Sequence, residues 1–137
     1  MFEKVTGDVM GPLEVRGSLE IEGTLHGGAC VYGQFDMAGV VEGPIEVRLD
    51  GHADLEAIVN GDVHVRSGKF RMRGIINGLL GAKPGADVQV AVGTIINGRR
   101  LELDGTFTPV EPGINFSFDE NVTMMQMQPD ASWTPVG

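Results

Sequence analysis

Apolar and polar residues alternate along this chain in short bursts that end on glycine. A phrase of the form apolar-x-apolar-x-Gly-x-apolar-x-Gly reads LEIEGTLHG at 19–27, FDMAGVVEG at 35–43 and FRMRGIING at 70–78. Looser copies are ADLEAIVNG, ending at Gly61, and VQVAVGTIING, ending at Gly98. Within one phrase a period of two sends Leu19, Ile21 and Leu25 to one face and Glu20, Glu22 and His26 to the other, the signature of a half-buried strand. Gly7 reads as an earlier closing glycine and LELDGTF at 101–107 as the start of another copy, so successive spacings are 20, 16, 18, 17 and 20 residues. These spacings are too short for a helix pair and fit one coil of a solenoid.

A single strand of this kind cannot bury its apolar face. Equivalent strands stacked about 4.8 Å apart bury all of them and pair their backbones. The six-residue spacing of Gly11, Gly17 and Gly23 predicts three sides per coil, with glycine at the corners. The expected fold is therefore all-β: a single-stranded parallel β-helix, or triangular β-solenoid, of about six coils over residues 1–110. A rod roughly 30 Å long follows.

Residues 111–137 break the pattern and are expected to form a C-terminal strand or capping segment. They hold Phe116, Phe118 and Trp133, three of the eight aromatics, and INFSFDENVTMMQM alternates well enough for a strand or two. Trp133, in ASWTPVG, is placed to fold over the open end of the rod. Exposed coil edges template further strand pairing, and a cap prevents it. The expectation is a solenoid blocked at one end and free at the other, which yields a dimer.

The repeats VTGDVMGPLEVRGSLEIEG and IVNGDVHVRSG, within residues 5–109, resemble those of the bactofilins, bacterial polymer-forming cytoskeletal proteins. The resemblance implies a right-handed β-helix that self-assembles by abutting solenoid ends, without nucleotide. The aromatic segment after residue 110 departs from that family's flexible polar tail.

Composition narrows the picture. The 137 residues suit one domain, and 42% hydrophobic but only 6% aromatic residues imply a narrow aliphatic core. Nineteen acidic against ten basic side chains give a formal charge of −9, which disfavours nucleic acid and suits a basic protein partner. No stretch approaches about 18 apolar residues and no secretory signal is visible, so a cytoplasmic protein without membrane contact is expected. Cys30 is the only cysteine, which excludes an internal disulfide and a cysteine zinc motif.

Other triangular β-helices are acyltransferases or carbonic anhydrases, so His26, His52 and His64 bear on a metal role. They fall at unrelated places in the repeat and do not converge as three zinc ligands must. NGLLGAKPG places Gly and Pro at a coil corner and is no phosphate loop. No metal, cofactor or catalytic residue is expected, and the chain reads as a non-enzyme.

The outward residues form ladders instead. Counted back from the closing glycines, Glu20, Asp36, Asp54, Arg71 and Ala91 make one column and Glu22, Ala38, Glu56, Arg73 and Gly93 the next. Glu20, Glu22, Asp36, Asp54 and Glu56 thus gather on one acidic face, a candidate protein-binding surface. A basic ladder of Arg48, Arg66 and Lys83 lies elsewhere. Two functions are open: a self-associating scaffold of bactofilin type, partnered by itself, or a small acidic binding protein such as an immunity protein that inhibits a bacterial toxin.

Overall fold

The computed structural model describes residues 2–110, 123–128, 130 and 132–136. The regular part alternates long and short strands. These are β1 (Phe2–Met10), β2 (Leu13–Val15), β3 (Ser18–His26), β4 (Ala29–Val31), β5 (Gln34–Glu42) and β6 (Ile45–Val47). They continue with β7 (His52–Val59), β8 (Val63–Val65), β9 (Lys69–Ile76) and β10 (Leu80–Ala82). Long strands stack in parallel in the order β1, β3, β5, β7, β9, and short strands in the order β2, β4, β6, β8, β10. Each long–short pair is one coil, so five complete coils make a parallel β-solenoid.

The long strands bend midway, and that bend makes two sides of the coil from one strand. Gly23 and Gly39 hold the bend with φ of 145° and 131°. A Cβ on Gly39 would collide with the Gly23 carbonyl oxygen in the coil below, so neither the conformation nor the space admits a side chain. Gly7 pairs with Gly23 and belongs to this bend column. The earlier member of the closing column is Gly11, whose amide bonds His26 across the corner, and the first coil spans 16 residues instead of 20.

Inward residues stack as columns. Ile21, Leu25, Val31, Phe35, Val41, Ile45, Leu55 and Val59 have no exposed surface, and each such side chain contributes about 1.5–3 kcal/mol by burial. Phe35, Ala53 and Phe70 occupy successive levels of one column. A small residue between two rings keeps the column volume level, which close packing requires.

A sixth coil starts and does not finish. β11 (Asp87–Ala91) and β12 (Ile95–Ile96) both stack on β9, but a turn at Ala91–Thr94 inserts two residues between them. At Asn97 and Gly98, with φ of 51° and 76°, the chain reverses into β13 (Arg99–Leu101), antiparallel to β12. β14 (Phe107–Pro109) returns along β13, so LELDGTF is a hairpin and begins no further coil. β15 (Met124–Met127) runs antiparallel to β11, and β16 (Trp133–Pro135) folds back on β15.

Candidate functional site

The parallel register brings the acidic residues together. Glu20 lies beside Asp36 and Asp36 beside Asp54; one column over, Glu22, Ala38 and Glu56 are in line. Side chains two apart on a strand share a face, so Glu20, Glu22, Asp36, Asp54 and Glu56 form one patch. Glu20, Asp36, Asp54 and Glu56 line a shallow depression of about 200 Å³ floored by Ile21 and Met37. Cations close it at both ends: Lys4 approaches Glu22 at 3.3 Å and Arg73 approaches Glu56 at 3.5 Å. Gln34 donates to Asp36 at 3.2 Å.

Asp54 sits at the late end of this carboxylate column, between Asp36 and Arg71, and burial pushes its carboxyl above the ordinary value. Arg71 opposes that rise, while Asp36 and Glu56 add to it. The column ends differently from the sequence count: Gln89, and not Ala91, stands opposite Arg71. The two residues inserted in the turn after Ala91 displace every position counted back from Gly98, which also removes Gly93 from the second ladder.

The basic ladder stands on the third side of the coil. Arg48 donates to Glu46 at 2.6 Å, and Arg66 closes on the same carboxylate from the next coil. Hydrogen bonding from Arg48 holds Glu46 below its ordinary value, with Arg66 adding to the effect. Two positive members of the ladder are thus engaged with one carboxylate within the fold. Arg16, at the same position two coils earlier, lies 4.5 Å from the Tyr32 ring centre.

His26 approaches Asp8 at 3.3 Å on β3, while His52 begins β7 and His64 is exposed on β8. Among the described residues no three His, Cys, Asp or Glu side chains are arranged so that they could hold a metal ion, and no helix is long and apolar enough to cross a membrane.

The two ends of the solenoid differ. At the late end, Trp133 is buried with its ring edge-on to Phe107, the centres 6.1 Å apart. This contact joins hairpin β13–β14 to hairpin β15–β16, and Met125 and Leu101 are buried beneath. Phe116 and Phe118 lie outside the described residues. At the early end, β1 pairs only with β3 and β2 only with β4 among the described residues. Val5, Val9 and Leu13 are half-exposed, whereas Ile21 and Leu25, the next members of the same columns, are fully buried.

One surface column escapes a reading built on charges. The residue after each bend position, which is Gly23, Gly39, Ala57, Gly74 and Thr94 in turn, points outward, and it is Thr24, Val40, Ile58, Ile75 and Ile95 in successive coils. Its signal lay in the repeat itself, in the variable position between the bend and the last inward residue.

Comparison with protein families, with curated proteins and with solved structures returned no match.

Proposed function

We propose that this protein is a non-enzymatic, self-associating scaffold of bactofilin type whose working surface is the first coil. The observation that carries this reading is the edge of β1, nine residues long, which has no strand partner among the described residues and has half-exposed core side chains beneath it. Such an edge offers backbone hydrogen bonds and apolar contact to another strand. Because antiparallel hairpins cover the late end, the contact joins like ends: β1 of one copy meets β1 of another around a two-fold axis.

Size-exclusion chromatography with light scattering tests this across concentration and salt. Oligomers that lose one contact in the inward variant Val9→Lys, with the circular dichroism of the fold retained, are the expected result. Protein that stays monomeric throughout overturns the reading.

A second reading rests on the acidic depression around Asp54. It is a small acidic binding protein, such as an immunity protein, that holds a basic partner. Reversing Asp36, Asp54 and Glu56 to lysine would then abolish capture of that partner while the solenoid remains folded; undiminished capture removes this face from consideration.

A further inference from the structure

One outward column on this solenoid carries an unbroken run of four aliphatic residues. The column running up the second side of the bent strands is Asp8, Thr24, Val40, Ile58, Ile75 and Ile95, in parallel register throughout. Arg100 pairs directly with Ile95 across β12 and β13, so it occupies the next level of the same column. Four aliphatic residues are therefore flanked by an acid at one end and a base at the other. Ile58, the central member, is 39% exposed.

We infer that this column is a contact surface for a second copy of the chain, lying alongside with its rod reversed. Asp8 to Arg100 spans seven levels, and Ile58 is the middle one. A two-fold axis along the strand direction at Ile58 sets Asp8 against the partner copy's Arg100, Thr24 against its Ile95, Val40 against its Ile75, and Ile58 against its own equivalent. Every facing pair is apolar–apolar, polar–apolar or opposite in charge. The adjoining column obeys the same symmetry: His26, Glu42, Asn60, Asn77 and Asn97 follow one another, so Glu42 faces Asn77, His26 faces Asn97 and Asn60 faces Asn60. No like charges meet.

Parallel alignment about an axis on this column fails the same test, because it sets Asp8 on Asp8 and Arg100 on Arg100, and like charges across an interface are unfavourable. The terminal charges remain accessible: Asp8 is 78% exposed while touching His26, and Arg100 is 48% exposed while donating to Glu102 at 3.1 Å. A contact of this width belongs to the small, transient class of interfaces. It is independent of the end contact through β1.

Cross-linking reads the geometry directly. Sheets pack face to face about 10 Å apart, beyond direct disulfide reach, so a short bismaleimide is the probe. The host is the full chain carrying Cys30→Ser, which clears the native thiol from another face. Ile58→Cys is expected to cross-link with itself. Thr24→Cys is expected to cross-link in a mixture with Ile95→Cys and not alone, because self-pairing leaves those thiols about 19 Å apart along the axis. Self-cross-linking of Thr24→Cys, or no cross-linking of Ile58→Cys at any concentration, overturns the inference. Arg100→Asp should lower the Ile58→Cys yield about tenfold, with recovery in the double reversal Asp8→Arg with Arg100→Asp; an unchanged yield in Arg100→Asp overturns the charge pairing and with it the reversed alignment.

Discussion

Leu49 and Asp50 carry φ of 52° and 60° at the corner between β6 and β7, where Gly51 closes a turn on the Arg48 carbonyl. These are the two residues by which this coil exceeds its predecessors. A left-handed conformation costs a branched L-residue about 1–2 kcal/mol, and Leu49 is 72% exposed, so it gains little packing in return. Leu49→Asn is therefore expected to stabilise the fold by about 1 kcal/mol, read as a higher urea midpoint with an unchanged slope. Asp54 is a different case, because its cost depends on pH. Its carboxyl is raised in the folded state by burial, so the native protein holds that proton more tightly than the unfolded chain. Stability is then lost as pH rises from the ordinary value of about 3.9 through the raised one. Asp54→Asn should melt above the wild type at about pH 7, with the difference gone at about pH 3. An equal difference at both values would mean that packing, and not ionisation, sets the effect.

The stacking of strands was legible because each coil repeats the same two demands, an inward column and a glycine corner. Its end was legible too, at positions the glycine count passed over. Two and four residues after a closing glycine, the third side needs apolar residues: Leu13 and Val15, Ala29 and Val31, Ile45 and Val47, Val63 and Val65, Leu80 and Ala82. After Gly98 those positions are Arg100 and Glu102. Burying that pair is too costly, so the chain reverses at Asn97–Gly98, a dipeptide suited to a two-residue hairpin turn. Asn60–Gly61 and Asn77–Gly78 carry the same dipeptide without reversing, because the apolar third side that follows them can be buried. The displaced ladder was less legible, since a two-residue turn at Val92–Gly93 leaves the glycine pattern intact while shifting all that precedes it. Trp133 carries the cap that follows. Trp133→Ala should cost about 3–5 kcal/mol, and because Trp133 joins two terminal hairpins, hydrogen exchange should rise in β13–β16 while β3, β5 and β7 keep their protection. Uniform loss of protection would show that cap and coils unfold as one unit.

The whole molecule carries two different proposed self-contacts, and their combination has a consequence that neither has alone. A single two-fold contact closes at a dimer, whereas two distinct two-fold contacts on one subunit continue into an open array unless their axes intersect. A rod that is capped at its late end can therefore still build long assemblies, by joining like ends through β1 and reversed sides through Ile58. The contacts also differ in physics. The end contact buries Val5, Val9 and Leu13 and is insensitive to salt, while the side contact depends partly on Asp8 and Arg100, exposed charges that salt screens over about 8 Å at physiological ionic strength. Sedimentation velocity on four proteins separates them. Wild type should grow with concentration at low salt and fall back to a dimer at high salt. Val9→Lys should show only a salt-sensitive dimer, Ile58→Asp only a salt-resistant dimer, and the double variant a monomer. A Val9→Lys dimer that resists salt would show that the aliphatic column holds without its terminal charges. A wild type that stops at a closed tetramer or a larger ring would mean that the two axes meet, whereas one that never exceeds a dimer would mean that only one contact exists, and the single variants tell which, since only one of them would then be monomeric.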